Sequence, residues 1–300
     1  MKAGVVSGFD RLQPTPLRYC RRTHRKGTEM ELGLGGKSAL VVGAGADVGR
    51  ATAISLAREG ARVILVGRRR EALEGTARLV EAAGGQAQVL PGDARDSADV
   101  KRVVAEAQAA AGRIDLMVNT VGPYPYPENY PDVPEPMYGN DASWAEIFDN
   151  VFMPAVRLSR EVIPPMKAAG SGSVVHLAAN SARYYKPNTA QYAAMKSALV
   201  HATKNWARDA AKCGVRVNAV LPGWIKIGRL QERLDAAASS EGRPVAEIEH
   251  DMVAAHDNLF WSPRMGRPEE YADAIVFLLS DRASYINGAL LPVDGGTPVW

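Results

Sequence analysis

Residues 38–49 read SALVVGAGADVG and join a short apolar run to a glycine-rich turn. The run Ser38–Val42 is typical of a strand buried on both faces of a parallel sheet. The turn then opens a segment with apolar residues at helical spacing. Glycines between a strand and a helix permit a tight turn and let the backbone approach a pyrophosphate at the positive helix N-terminus. The stretch therefore favours a dinucleotide-binding turn made by Gly43, Gly45, Asp47, Val48 and Gly49.

Short apolar runs and amphipathic segments alternate along the rest of the chain. Parallel strands need long right-handed crossovers, so this alternation predicts a parallel sheet flanked by helices on both faces. The predicted strands are 38–42, 61–66, 86–90, 114–118, 173–178, 215–221 and 289–293. The predicted helices are 48–59, 71–83, 100–111, 144–168, 190–212 and 269–279. The predicted fold class is α/β, a single doubly wound Rossmann-type domain over residues 36–296.

Two long stretches interrupt the alternation, at about residues 122–143 and 224–265. Each follows a predicted strand, on the side where such sheets bind ligands. We interpret both as insertions that wall a substrate site; spacers or contacts between subunits are the alternative. The aromatic side chains expected to form the walls, which would suit a hydrophobic or ring-bearing substrate, are Tyr124, Tyr126, Tyr130, Trp224 and Trp261.

Charge and cysteine content exclude several classes of protein. Residues 1–30 contain seven basic and two acidic side chains, so the net charge of +3 leaves the rest of the chain at −2. A body of that charge does not favour nucleic-acid binding. We interpret residues 1–30 as a disordered basic extension; a targeting arm, or a natural start at Met30, is the alternative.

Two cysteines cannot form a disulfide framework or a four-ligand zinc site, so we predict a cytoplasmic protein without a metal site. No apolar run approaches the ~20 residues that a membrane helix needs, so no membrane partner is expected.

The tip of the second predicted strand carries basic residues instead of an acid: Gly67 is followed by Arg68, Arg69 and Arg70. An acid there accepts hydrogen bonds from the adenosine 2′-hydroxyl of NAD, whereas bases suit the 2′-phosphate of NADP. The sequence favours NADP(H), with Arg68 as the contact, and leaves NAD(H) open. Arginines that are merely solvated in the first turn of a helix are the alternative.

Tyr192 and Lys196 lie four residues apart in a predicted helix, which puts a phenol and an ammonium on one face. A nearby positive charge favours the phenolate and lowers the pKa of a tyrosine toward the range useful for proton transfer. Pairs at this spacing also occur by chance on solvated helices, so the surrounding motifs decide the interpretation.

The order of those motifs resembles the short-chain dehydrogenase/reductase family over about residues 36–296. After the glycine-rich turn come Asp93, Asn119, the Tyr-Lys pair and Pro222-Gly223, and the chain approaches its end with Asp-Gly-Gly at 294–296. The segments QYAAMKSALVHATKNWA and GVRVNAVLPGWI are similar to those of bacterial 3-oxoacyl-carrier-protein reductases. The resemblance implies hydride transfer between a nicotinamide and a ketone or secondary alcohol as the small-molecule substrate. It also suggests a homodimer or homotetramer, formed through the long helices.

The resemblance implies a role for each matching residue. Tyr192 would be the acid/base on the substrate oxygen, and Lys196 would lower its pKa and hold the nicotinamide ribose. Asp93 and the backbone of Ala94 would contact adenine, and Asn119 would line the nucleotide path. The remaining residues assigned to the cofactor are Pro222 and Ile225, the latter offering its backbone to the carboxamide.

The chain departs from the family pattern at several positions. Asp47 stands where a third glycine is usual, and Ile227 where a threonine is expected. The helical asparagine would align with Val151, with Asn150 one residue away. The catalytic serine would fall on Ala179, two residues before Ser181.

Two explanations compete for the missing serine. A small loop shift could bring Ser181, or the amide of Asn180, to the substrate oxygen; otherwise the site lacks one hydrogen-bond donor. The predicted catalytic set is Tyr192, Lys196, Ser181 and Asn150, with His176 interpreted as a structural strand residue. An NADP(H)-dependent oxidoreductase is the function these residues favour. The alternative is a nucleotide-binding sensor or partner protein without redox turnover.

Overall fold

A computed structural model describes residues 31–122, 138–184, 189–255 and 261–296. These residues fall within the unit Leu32–Trp300, apart from Glu31. The basic extension predicted for residues 1–30 and the predicted wall residues Tyr124, Tyr126 and Tyr130 lie outside the described residues.

The described residues form one seven-stranded sheet in which all pairings are parallel. Its strand order is β3-β2-β1-β4-β5-β6-β7, so the direction of winding reverses between β1 and β4. The strands are β1 Ser38–Val42, β2 Arg62–Gly67, β3 Gln86–Pro91, β4 Leu116–Asn119, β5 Gly172–Leu177, β6 Val215–Pro222 and β7 Leu290–Val293. A crevice at the carboxyl ends of β1 and β4 is the place where sheets of this kind bind ligands.

Helices connect the strands and cover both faces of the sheet. They are α1 Asp47–Arg58, α2 Arg70–Ala82, α3 Ser97–Ala111, α4 Asp141–Ile147, α5 Met153–Ala168, α6 Ala190–Ala210, α7 Gly228–Glu241, α8 Val245–Ala254 and α9 Pro268–Leu279. A π-helical turn, Phe148–Phe152, joins α4 to α5. Among the described residues no helix has the length and apolarity needed to cross a bilayer.

The alternation of side chains along β1 explains why its sequence is apolar after Ser38, its one polar residue. Ala39 and Val41 belong to the core on one face of the sheet, together with residues of α1 and α9. Leu40 and Val42 belong to the core on the other face, together with residues of α3 and α5. Because successive side chains of a strand point to opposite faces, a strand covered on both sides favours apolar residues at successive positions.

The stretch 224–265, interpreted from its sequence as an interrupting insertion, contains two helices, α7 and α8. Leu230, Leu234 and Ala238 of α7 recur every four residues and are buried. This spacing is the signal that predicts an amphipathic helix. The insertion therefore has its own small apolar clusters, and α7 begins beside the carboxyl end of β6.

Candidate active site

A cavity of about 260 Å³ opens at the carboxyl ends of the central strands. Its lining comes from five places in the sequence: the β1–α1 turn, the residues after β4, the end of β5 with the residues after it, α6, and the loop after β6. These segments are far apart in the chain and meet because parallel strands end at the same edge of the sheet. Of the predicted cofactor residues, those that line the cavity are Gly43, Asp47, Val48, Gly49, Tyr192, Lys196, Pro222 and Ile225.

The β1–α1 turn is packed so closely that side chains are excluded from it. A Cβ at Gly49 would collide with the carbonyl of Gly43, and a Cβ at Gly43 would collide with Thr120 Oγ1. The N-cap of α1 is Ala46, which offers no side-chain acceptor. The first amides of α1 therefore border the cavity at the positive end of the helix dipole, an arrangement that suits a phosphate group.

Asp47 occupies a position of this turn at which the family usually has glycine. Its φ is +45°, in the left-handed region that asparagine and aspartate tolerate better than most residues. Its carboxylate Oδ1 accepts a hydrogen bond from the backbone amide of Gly228, at 3.2 Å. The side chain thus reaches the first residue of α7, across the mouth of the cavity.

Tyr192 and Lys196 both lie on the cavity side of α6, as their spacing predicts. Lys196 is only 2% exposed, and its Nζ donates to the carbonyl of Leu177 at 2.8 Å. The same Nζ lies 5.6 Å from the centroid of the Tyr192 ring. Burial lowers the pKa of Lys196 to about 7, because an ammonium loses hydration in this environment.

Gly122 is a further site residue that the motif analysis did not assign. Its φ is +138°, and a Cβ placed there would lie 2.8 Å from Lys196 Nζ. The absence of a side chain therefore leaves room for the ammonium. The glycine three residues after Asn119 is the signal in the sequence that could have identified it.

The segment after β5 contains both Ala179 and Ser181, the two positions considered for the catalytic serine. Ala179 lines the cavity, and the 3-10 turn Asn180–Ala182 follows directly. Ser181 also lines the cavity, and its buried Oγ has no hydrogen-bond partner among the described residues. A buried hydroxyl without a partner costs free energy unless a ligand or water completes it. Asn180 borders the same space.

The π-helical turn determines which residue of the α4–α5 segment packs against the tyrosine. Val151 is fully buried in a cluster with Ile147, Ala179 and Tyr192. Asn150 is half-buried and does not line the cavity described here. The geometry thus gives no support to a catalytic role for Asn150, because the extra residue of the π turn brings Val151 to the tyrosine.

His176 lies inside the sheet and not on the cavity wall. It is fully buried, with Nε2 3.2 Å from Ser159 Oγ and its ring 5.3 Å from that of Trp206. Burial, with the nearby charge of Lys196, lowers its pKa to about 3. A neutral imidazole surrounded in this way fits a structural strand residue.

The residues predicted to meet the adenosine lie beyond this cavity, at the ends of β2, β3 and β4. The Arg95 guanidinium binds the Asp93 carboxylate at 2.6 Å and, with a smaller contribution from Arg68, holds the pKa of that carboxyl below its usual value. Asn119 is fully buried; its Oδ1 accepts the amide of Val121 at 3.0 Å. Its Nδ2 has no partner among the described residues. Ala94 is also buried.

Trp224 and Trp261, the two wall residues predicted in the stretch 224–265, differ in whether they line the cavity. Trp224 lines the cavity. Trp261 is 73% exposed and is not part of the lining, so the prediction that it walls the site is wrong for this cavity.

Comparison with known proteins agrees with this geometry. Residues 43–298 match a protein family described as enoyl-(acyl carrier protein) reductase. The 3-oxoacyl-[acyl-carrier-protein] reductase FabG of Thermotoga maritima is 29% identical over 271 residues, which cover 88% of this chain and 98% of that protein. L-sorbose reductase from Gluconobacter frateurii, solved with NADPH and L-sorbose, has a TM-score of 0.77 at 30% identity and covers 89% of this chain and 98% of its own. A 7α-hydroxysteroid dehydrogenase, solved with NADH and 7-oxo glycochenodeoxycholic acid, has a TM-score of 0.76 at 26% identity, with 90% and 97% covered.

These likenesses place the chain among the oxidoreductases that use a nicotinamide dinucleotide on a Rossmann-type sheet. More narrowly, it belongs to the short-chain dehydrogenase/reductase family, as the order of its motifs predicted.

Proposed function

We propose that this protein transfers hydride between NADP(H) and a ketone or secondary alcohol, with Tyr192 as the general acid/base. The observation that carries the proposal is the position of Lys196: its buried ammonium stands 5.6 Å from the Tyr192 ring centroid, on the wall of the same cavity. A positive charge so near a phenol, in a site of low polarity, favours the phenolate and eases proton transfer.

The residues around the cavity fit a nicotinamide dinucleotide. The first amides of α1 would hold the pyrophosphate, since no side chain caps them. Asn119 Nδ2, buried without a partner among the described residues, would donate to the nucleotide. Ile225 lines the nicotinamide end of the cavity and would present its backbone there. When bound, the nicotinamide supplies or accepts the hydride.

Side chains of this protein would donate the proton to the substrate oxygen, or accept it from that oxygen. Tyr192 would donate its hydroxyl proton to the substrate oxygen in the reducing direction and take it back in the oxidising direction. Ser181 would add a second donor to the same oxygen, because its hydroxyl is buried, borders the cavity and has no partner among the described residues. Its site is two residues from the family position, and the 3-10 turn that begins at Asn180 supplies the change of direction.

We expect a neutral, mainly apolar carbonyl compound as the substrate. The cavity wall near Tyr192 is made by apolar groups of Ala178, Ala179, Trp224 and Ile227. Apart from Lys196, no cationic side chain among the described residues lines the cavity, so these residues offer a substrate carboxylate no second partner. Turnover confined to short acidic substrates would contradict this expectation.

Replacement of Tyr192 by phenylalanine tests the proposed reaction. The variant loses the proton donor but keeps the ring, so we expect the turnover number to fall by a factor of about 10²–10⁴. NADPH affinity, measured by the change in coenzyme fluorescence on binding, should stay close to that of the parent protein. Unchanged turnover on a panel of ketones would overturn the assignment of Tyr192. Binding without turnover in the parent protein would favour the sensor hypothesis instead.

Preference for NADP(H) is supported by the exposed cluster Arg68–Arg70 at the end of β2. The nearby carboxylate of Asp93 is engaged by Arg95, so it does not present a free acid to a ribose 2′-hydroxyl. We expect Arg68→Asp to weaken NADPH binding more than NADH binding, because the change replaces a phosphate partner with a like charge. Fluorescence titration with each coenzyme measures the ratio. Lys204→Asp, an exposed charge reversal on α6, is the control for a general effect of net charge, and equal losses for both coenzymes would reject the phosphate contact.

We also propose that the chain forms a homodimer or homotetramer through the faces of the long helices. Phe148, in the π-helical turn next to α5, is 42% exposed and stacks on Phe152 at 5.6 Å between ring centroids. Sedimentation velocity measures the assembly state, and Phe148→Glu should shift it toward the monomer. A parent protein that sediments as a monomer at micromolar concentration would contradict the proposal.

A further inference from the structure

Asp47 combines an unusual backbone conformation with an unusual contact. Among the described residues it is the one non-glycine with a positive φ. A residue with a side chain in this region is strained relative to glycine. The family pattern has a glycine here, so the aspartate brings a cost that some interaction must offset.

The contact of the Asp47 carboxylate supplies that interaction. Helix α7 begins at Gly228, and its N-cap residue, Ile227, has no side-chain oxygen with which to accept a hydrogen bond from the first turn. Asp47 Oδ1 accepts the Gly228 amide at 3.2 Å instead. An acceptor with negative charge at a helix N-terminus satisfies an orphan donor and interacts favourably with the helix dipole. Here the cap comes from 181 residues earlier in the chain.

The place of this contact connects it with the cavity. Asp47 and Ile227 both line the cavity, one from the glycine-rich turn and the other from the segment that precedes α7. Ile225 lies three residues before Gly228 in the same segment. The carboxylate therefore joins the β1–α1 turn to the first residue of α7, and both segments border the cavity.

We propose that Asp47 is a positioning residue that caps α7 and holds the 225–228 segment over the dinucleotide turn before any coenzyme binds. The preorganisation itself does not depend on the reaction, whereas its benefit to coenzyme binding rests on the function proposed above. The negative charge also lies next to the place where the pyrophosphate would bind, so the same side chain that orders the segment repels the coenzyme.

Two substitutions at position 47 separate the cap from the charge and from the backbone strain. Asp47→Asn keeps an acceptor oxygen, tolerates a positive φ and has no charge. Asp47→Gly tolerates a positive φ and has no charge, but lacks the acceptor. The two variants are thus matched in charge and backbone tolerance, and differ in the cap.

Hydrogen exchange of the coenzyme-free protein, followed by mass spectrometry, gives the first readout. We expect the amides of the first turn of α7 to exchange about fivefold faster in Asp47→Gly than in Asp47→Asn, which corresponds to the loss of one helix cap. Amides of α3, which packs against α5 and β3, serve as an internal reference. Equal exchange in the two variants would overturn the proposal.

Gly228→Pro tests the donor side of the same contact. Proline is well tolerated at the first position of a helix, and Ile227 has an extended backbone (ψ 164°) that a following proline accepts. The variant removes the amide that Asp47 binds, whereas the matched control Gly228→Ala keeps it; a Cβ there would meet Asp47 Oδ1 at 4.0 Å, an ordinary contact. Gly228→Pro in the Asp47→Gly background should add no further acceleration of exchange near Ile227. If Gly228→Pro accelerated exchange in that background as much as in the parent protein, the Gly228 amide would not act through Asp47, and the proposal would be overturned.

Coenzyme affinity gives the second readout. If the segment is held for the coenzyme, NADPH should bind up to fivefold more tightly to Asp47→Asn than to Asp47→Gly. Equal affinities of the two variants, with unequal exchange, would reject the benefit to binding. Absence of NADPH binding by the parent protein would refute the function proposed above and would leave the exchange comparison intact, so the two failures are distinguishable.

Discussion

Ser181 is the residue that we propose as the second hydrogen-bond donor, two positions after the one that the family uses. Its buried hydroxyl has no partner among the described residues, although it borders the cavity together with Tyr192. A donor held in this state is available to a substrate oxygen on which charge develops. Mutational losses at comparable oxyanion-stabilising donors are of the order of 10²–10³ in rate.

We therefore expect Ser181→Ala to lower the turnover number by a factor of about 10²–10³. In the Ser181→Ala background, Ala179→Ser should restore part of the loss, because it returns the hydroxyl to the position the family uses. Steady-state kinetics with NADPH and a ketone measures both effects, and Ser240→Ala, an exposed serine of α7 whose hydroxyl donates to the carbonyl of Ala237, is the control. Full activity of Ser181→Ala would assign the second donor to another group.

The sequence predicted the residues whose role depends on spacing and missed those that depend on local geometry. Tyr192 and Lys196 face one cavity because four residues make one helical turn. The positions of Val151 and Asn150 relative to that cavity depend on a π-helical turn, for which the sequence carries no periodic signal. The carboxylate of Asp47 contacts Gly228, a residue that only the folded chain brings close.

At the scale of elements, the segment around α7 and α8 is attached to the sheet by a buried ion pair. Lys226, in the loop after β6, binds Glu249 of α8 at 2.7 Å, and the other carboxylate oxygen of Glu249 accepts the amide of Met265 at 2.9 Å. Ile225 and Gly266 form a parallel bridge next to this pair. One carboxylate thus connects the loop after β6, which borders the cavity, with both ends of the α7–α8 segment.

Glu249→Gln keeps an acceptor for the amide of Met265 but leaves the Lys226 ammonium without its counter-charge. We expect the free energy of unfolding to fall by about 2 kcal/mol, less than for a completely buried pair because Lys226 is partly exposed. The KM for the carbonyl substrate should rise more than the turnover number falls, since the change loosens a wall of the cavity. Urea unfolding and steady-state kinetics measure the two effects.

A double-mutant cycle provides the control. Lys226→Met alone leaves a buried carboxylate without its cation, whereas Lys226→Met in the Glu249→Gln background removes a charge that has already lost its partner. The second step should cost clearly less than the first. Additive losses would mean that the ion pair does not couple α8 to the loop.

The elements themselves were largely predictable, and the reason lies in their burial. The first strand was predicted with the bounds that the structure has, Ser38–Val42, because four successive apolar residues follow Ser38, as expected of a strand covered on both faces. Other strand and helix ends shifted by a few residues, as at Leu116–Asn119, where the apolar run begins before the pairing does. Helices α7 and α8 were missed because the interruption of the strand–helix rhythm was interpreted as a single insertion, although Leu230 and Leu234 already have helical spacing.

At the scale of the whole molecule, two basic side chains are buried against the centre of the sheet. Burial lowers the pKa of Lys196 to about 7 and that of His176 to about 3, both below the usual values of these groups. The unfolded chain therefore binds more protons than the folded chain over two ranges of pH, about 3 to 6.5 for the histidine and about 7 to 10.5 for the lysine. Stability rises with pH wherever the unfolded state binds more protons, so both groups stabilise the fold least in acid.

Lys196→Met isolates the contribution of the lysine. Below pH 7 the folded protein carries the full cost of a buried ammonium, and this cost disappears as pH rises from about 7 toward 10.5. The free energy of unfolding of the parent protein should therefore increase relative to that of Lys196→Met, by at most about 1.4 kcal/mol per pH unit. Urea unfolding between pH 7 and 9.5 measures the difference, with Lys204→Met, an exposed lysine of the same helix, as the control whose curve should run parallel to the parent's. Parallel curves for Lys196→Met and the parent would mean that the lysine keeps its ordinary proton affinity in the fold; it would then stay charged throughout this pH range, and its support for the Tyr192 phenolate would not weaken as pH rises above 7.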